Sequence, residues 1–245
     1  MPPLRSVLGL TAIFMTAFLF FMIMLMPASV VTRALPDAAD NEDALPRPQL
    51  SGLWWRGQGD MEWQGKPLQI RWEMDWRWLT PGVQLALHTG QINAEGWIGA
   101  DWGDWSLQHW RAQLPVDLIN DFLPQGQADG NLDLALTSLS IRENTIAEAT
   151  GTLRYHGGLV SLGPGMEMPL PPLEGVLAMT PLGPALSVTG PESSSLAHAQ
   201  LEGKTLTLQV FRALPLLLGM GEEGNAKDVV FSTQQELSLP DASAG

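Results

Sequence analysis

A chain of 245 residues has room for one large domain or two small ones. Apolar residues make up 45% of it and charged residues only 16%: enough for a sizeable core, with the low charge expected when part of a chain sits in lipid. The net charge of -13, with no run of Lys or Arg, argues against nucleic acid and against adhesion to anionic headgroups, since both need a basic footprint. The absence of cysteine excludes disulfide frameworks and thiolate metal sites.

From Leu8 to Val31 the sequence reads LGLTAIFMTAFLFFMIMLMPASVV, without one charge. At 1.5 Å per residue, Leu8 to Met26 nearly covers a hydrocarbon layer of about 30 Å. A helix buried in a soluble core would show a polar side here, and Leu8, Phe14, Phe18, Phe21 and Met26 mark a stretch that shows none. The apolar run is too long for the core of a secretory signal, and no small-x-small cleavage site follows it, so a retained transmembrane anchor is expected. Residues 1–7 then form a short cytoplasmic tail, residues 8–31 the span and its exit, and the remainder lies on the far side of the membrane.

Residues 32–49 are acidic and punctuated by proline, which reads as a linker. Beyond them the period becomes two. In Leu68–Trp78 (LQIRWEMDWRW), Leu68, Ile70, Trp72, Met74, Trp76 and Trp78 alternate with polar residues without an error. That pattern puts all six on one face of a strand and would scatter them around a helix. Val83, Leu85 and Leu87 alternate similarly. Leu132, Leu134 and Leu136 change parity before Leu139 and Ile141, which predicts a bulge near Thr137-Ser138. Leu206, Leu208 and Val210 repeat the rhythm.

Turn signals separate these runs: Gln64-Gly65, Pro81-Gly82, Gly157-Gly158, Gly163-Pro164-Gly165, Gly183-Pro184, Gly190-Pro191 and Glu202-Gly203. Alternation with short connections predicts antiparallel sheet with one apolar face. Pro115–Phe122 reads as a two-turn helix with Pro115 at its first position, and Arg212–Met220 as a second short helix limited by Pro215. The expected fold is all-β: about ten strands in one strongly curved, mainly antiparallel sheet, open or half-barrel, over residues 50–240, with one or two short helices and a disordered tail at 241–245.

All ten tryptophans lie between Trp54 and Trp110. Trp72, Trp76 and Trp78 line one strand face, either as core or as an open apolar surface for a lipid tail or a partner segment. Trp54 and Trp55, read as neighbours in a strand, point to opposite faces, which leaves one of them at a contact surface or the membrane interface.

No constellation for catalysis or metal binding stands out. His88, His109, His156 and His198 are scattered, and Asp101 and Asp104 read as turn residues joining two strands. The serines of Gly190–Ser195 lack a nucleophile-elbow spacing, and there is no phosphate-binding glycine loop. Neither an enzyme nor a cofactor is implied.

The run from Leu50 to Gly59 (LSGLWWRGQG) resembles the S-G-T-L-W-x-G-x-A start of type II secretion system protein N, with Trp55 as an extra bulky residue. Ile70-Arg71-Trp72-Glu73-Met74 resembles that family's L-x-W-x-L strand. Further echoes follow in order: Leu123-Pro124 with Gly126 and Gly130 before LDLAL, then Gly151–Tyr155, then Leu217-Leu218-Gly219. A long proline-rich stretch, Gly163–Pro172, departs from the pattern. The resemblance, over roughly residues 7–239, implies a non-enzymatic inner-membrane accessory of the type II secretion system. Its implied partners are the inner-membrane platform or secretin-linked periplasmic domains. A likeness to AsmA-type modules, which shield lipid in a β groove, implies the alternative of lipid binding or transfer.

Overall fold

The computed structural model describes residues 4–30, 49–63, 66–77, 79–101, 104–122, 127–142, 145–161, 167–220 and 224–236. The linker expected at 32–49, save Gln49, which opens the first strand, the turns at Gln64-Gly65 and Gly163-Pro164-Gly165, Trp78, and the tail at 241–245 lie outside them. An apolar helix, α1, spans Leu4–Met24, 21 residues. It starts earlier and stops sooner than the 8–31 expected, because Pro27 leaves the helix to form a bridge with Leu53. Side chains of α1 are described from Phe14 on, and Phe14–Met24 alone rises only about 16 Å. Among the described residues no helix is long and apolar enough to cross a membrane.

The strands follow in chain order: β1 (Gln49–Leu53), β2 (Arg56–Trp63), β3 (Lys66–Arg77), β4 (Thr80–His88), β5 (Asn93–Asp101), β6 (Asp104–Pro115), β7 (Gln127–Ala128), β8 (Asn131–Arg142), β9 (Thr145–Tyr155), β10 (Gly158–Ser161), β11 (Glu167–Leu170), β12 (Leu173–Thr180), β13 (Gly183–Thr189), β14 (Ser195–Glu202), β15 (Thr205–Phe211) and β16 (Val229–Glu236). Thirteen of them form one antiparallel sheet, β1-β2-β3-β4-β5-β6-β8-β9-β12-β13-β14-β15-β16. It is not closed, and β1 and β16 are its edges. The remaining three form a separate small sheet, β11-β10-β7. The sheet therefore holds more strands than the ten or so expected, and a second sheet accompanies it.

Residues paired directly across neighbouring strands share a face, so the register traces one row across the whole sheet. It runs Leu50–Gly59–Ile70–Leu87–Ala94–Ala112–Leu134–Leu153–Gly175–Val188–Ala197–Val210–Phe231. Every member is apolar or glycine. The two-residue period thus holds from edge to edge, and the register slip between Leu136 and Ser138 restores it where the parity of β8 changes, at the bulge position expected.

Two local expectations need correction. The short helix expected at Pro115–Phe122 is present as a 3-10 helix over Val116–Phe122, but Pro115 ends β6 instead of opening it. Pro81 and Gly82 lie inside β4 and make no turn; Gly82 faces Gly99, and the Trp97 ring fills the space above both. The expected helix at Arg212–Met220 is realised as Ala213–Leu217, short enough that Pro215 removes no internal bond.

Alternate antiparallel connections place the ends of the sheet on two opposite rims. One, the anchor rim, carries the turns β1–β2, β3–β4, β5–β6, β8–β9, β12–β13 and β14–β15. The distal rim carries the long excursions: the 3-10 helix, the small sheet and the helix Ala213–Leu217. Large buried side chains gather at the distal rim, where Val116, Tyr155 and Leu196 are enclosed. Tyr155 ties it together: its hydroxyl donates to the Asp129 carbonyl at 2.7 Å, and the Val116 N–H donates to the Gly130 carbonyl. Burial, then the nearby charge of Asp129, raises the Tyr155 pKa above its ordinary value.

Candidate functional site

The strand reading of Trp54 and Trp55 is corrected by the β1–β2 pairing. Leu53 pairs with Arg56, so the two tryptophans are the whole of a two-residue turn and do not point to opposite faces. Tight hairpins usually need positive φ at both turn residues. Here the left-handed residue is Gly52, at φ +99°, one position before Leu53. A side chain at Gly52 would collide with Gly57 across the pair, which explains the Ser-Gly-Leu-Trp-Trp spelling.

The turn faces the end of α1. The last carbonyls of a helix lack intrahelical donors, and two indoles supply them. Trp54 Nε1 donates to the Ile23 carbonyl at 2.7 Å and Trp55 Nε1 to the Met24 carbonyl at 2.9 Å. The Trp54 N–H donates to the Met26 carbonyl, and the Arg56 guanidinium lies 4.9 Å from the Trp55 ring. The same turn is fixed to β3, since Trp72 Nε1 donates to the Trp54 carbonyl at 3.2 Å and the Met74 N–H donates to that of Trp55. The apolar helix is thereby joined to the sheet by hydrogen bonds as well as by chain.

The other singled-out tryptophans divide. Trp72 lies on the apolar face, against the space that a side chain at Gly57 would take. Trp76 stands at the end of β3, where its parity matches the apolar face, yet it is 67% exposed. Trp97, which periodicity alone did not mark, is the largest fully buried side chain and sits on the polar face. It lies on Gly82 and Gly99 with the Arg77 guanidinium 5.0 Å from its ring. Glycine on two neighbouring strands was the signal that could have found it.

The apolar face is half-exposed along most strands. It holds a recess of about 330 Å³ lined by Met74, Pro81, Val83, Leu85, Ile98 and Trp105. A larger hollow of about 510 Å³, bordered by Arg56, Gln58, Arg71 and Glu73, is shallower and carries charged side chains. The apolar recess is the better ligand candidate because its lining offers contacts that water cannot replace. Both sheet edges are distinctive too. Pro27 covers one end of β1, whereas all of β16 is exposed, including Val229, Val230 and Phe231.

Polar side chains do not assemble a reaction centre among the described residues. Ser187 Oγ and His198 Nδ1 lie 3.2 Å apart on the open polar face, and His156 Nε2 is 2.7 Å from Asp133 Oδ2 near the distal rim. His109 Nδ1 meets Arg77 Nη1 at 3.2 Å. No group of three or more metal-capable side chains is found among the described residues.

Fold and surface together define an open antiparallel β-sheet protein on an apolar helix, offering an apolar face and an unpaired strand edge. The family described as type II secretion system (T2SS), protein N matches residues 45–210; the chain belongs to it. It is thus a component of type II secretion, in a family of secretion accessories and not a known enzyme family. The match begins just ahead of β1 and ends within β15, so the Leu217–Gly219 echo and β16 fall beyond it. Comparison with curated proteins and with solved structures gives no match.

Proposed function

We propose that the chain is a non-enzymatic accessory of the type II secretion system, anchored in the cell inner membrane by α1. Its N-terminus is cytoplasmic, its β domain periplasmic, and it aids export of folded proteins across the outer membrane through contacts with other secretion subunits. The family match over residues 45–210 carries this reading. The anchor is supported by the uncharged run Leu8–Val31 and by side chains such as Phe14, Phe18, Phe21 and Met22, more than half exposed. A helix apolar all round has no stable place in water.

The contact surface is argued from the sheet edge. An unpaired antiparallel edge presents free N–H and C=O groups to any extended segment, and β-augmentation satisfies them. β16 is paired on one side only, by β15. Its partner is a segment of the inner-membrane platform or of a secretin-linked periplasmic domain. A photocrosslinker placed at Ser232 or Gln234 of the full chain in native membranes should yield adducts with secretion subunits. Adducts that contain no such subunit contradict the reading.

A second reading is favoured by the uncovered apolar face and its recess: lipid held or passed along the sheet, in the manner of AsmA-type modules. Mass spectrometry of the gently extracted full chain should then find phospholipid bound. A lipid-free protein excludes a stably loaded groove.

A further inference from the structure

The turns of the anchor rim have an unusual composition. Among the described residues its turns hold Trp54-Trp55, Leu79, Pro181-Leu182 and Gly203-Lys204. Tight hairpin turns in water favour Asn, Asp and Gly. Three of these instead carry tryptophan or leucine, and Trp76 and Trp105 stand at the same rim, near the end of β3 and the start of β6. Trp54 and Trp55 are half-buried against α1, whereas four other side chains at this rim are largely exposed: Leu79 89%, Trp76 67%, Leu182 59% and Trp105 58%. The distal-rim loop β4–β5 differs: it is closed by Thr89-Gly90-Gln91-Ile92, with Thr89 capping the turn.

We infer that this rim is a membrane seat: Trp76, Leu79, Trp105 and Leu182 rest in the headgroup layer of the bilayer that α1 enters. Position argues for lipid over any other occupant. The indoles of Trp54 and Trp55 hold the last carbonyls of α1, so the rim begins where the apolar helix ends. A row of turns beside a membrane helix meets, at its near end, the same interface that the helix leaves. Tryptophan favours that layer, with its ring in the acyl boundary and its N–H in the headgroups.

Charge sets the mode of contact. Arg77 and Arg142 on this rim are paired with Asp75 and Asp104 at 3.6 Å each, so insertion is apolar and needs no anionic lipid. The seat also sets the apolar recess, with Trp105 and Pro81 at its rim side, level with the acyl boundary. The strands then rise from the bilayer, and the distal rim stands up to about 40 Å above it, at 3.3 Å per residue for a strand the length of β6.

The inference rests on α1 being a membrane anchor, so the test reads the two separately. The chain has no cysteine, which permits single spin labels on the full-length protein in zwitterionic phosphatidylcholine nanodiscs. Labels go at Leu79→Cys, Leu182→Cys, the distal-rim control Gln91→Cys, and Phe18→Cys within α1. The expected result is that Leu79 and Leu182 labels collide with a water-soluble nickel chelate roughly threefold less often than the Gln91 label, and with oxygen more often. The Phe18 label should be deep in the bilayer. A deep Phe18 label with Leu79 and Leu182 as wet as Gln91 overturns the seat and spares the anchor. A wet Phe18 label overturns the anchor and the seat with it. Shielding of Leu79 and Leu182 that arises only when other secretion subunits are added shows a protein occupant and also overturns it.

Discussion

The two rims of the sheet are built from the same strands and have opposite chemistry. At the distal rim the chain makes long excursions, and their side chains turn inward: Val116, Tyr155 and Leu196 are buried. At the anchor rim the described turns Trp54-Trp55, Pro181-Leu182 and Gly203-Lys204 are as short as a hairpin allows, and large apolar side chains turn outward. A short turn cannot fold back over its own tryptophan, so what the distal rim buries with its own chain, the anchor rim leaves for something else. One end of the sheet is therefore self-sufficient and the other is built to be covered.

That contrast can be broken by substitution. The largest effect is expected at Trp97, the one fully enclosed tryptophan among the described residues. Trp97→Ala removes a ring lying on two glycines and should cost about 3–5 kcal/mol, read by urea unfolding of the detergent-solubilised chain. An unchanged midpoint means that the ring is not part of the core. Gly99→Ala forces a methyl into the same ring and should cost about 1–3 kcal/mol.

A smaller effect sharpens the role of the turn beside α1. Replacing Trp54 and Trp55 together by phenylalanine keeps the rings but removes both indole donors, worth about 1 kcal/mol each. The sheet should keep its unfolding midpoint to within that margin while the helix loosens from it. Spin labels at Phe18→Cys and Gln91→Cys would report a broadened distance distribution. A distribution as narrow as in the parent would show that the indoles do not hold the helix.

The smallest effect belongs to the distal rim. The neutral Tyr155 phenol is favoured by the fold, and its pKa is raised by burial and then by Asp129. Its folded value therefore lies above its unfolded one. The stabilisation is fully present below the ordinary phenol value and is lost as pH rises through the raised folded value. Tyr155→Phe should lower stability by about 1 kcal/mol at neutral pH and flatten its decline in alkali; an unchanged alkaline slope contradicts the assignment.

Sequence was most informative where one face was apolar without interruption. β3 was legible because its alternation has no error, and the bulge in β8 because leucine changed parity across two small polar residues. β13 and β16 were harder: Gly-Pro at the start of one and Ser-Thr-Gln-Gln in the other give weak alternation, and it is pairing with β14 and β15 that makes them strands. The placement of Trp54 and Trp55 failed for a related reason. Adjacent tryptophans have high strand propensity, and only the register of Leu53 against Arg56 turns them into a hairpin loop. Trp97 was hidden because its burial depends on glycines in β4 and β5 that local periodicity does not connect. The apolar character of α1 was plain, whereas the exposure of Leu79 and Leu182 depends on which rim their turns occupy.

The central claim is that the open sheet works by being completed by another secretion subunit. Hydrogen exchange on the full chain in membranes, with and without the assembled secretion machinery, tests it directly at β16. Amides of Val229–Glu236 should slow by roughly tenfold or more on assembly, as unpaired edge groups gain partners. If the chain joins the machinery and those amides exchange at the same rate, sheet augmentation at this edge is wrong.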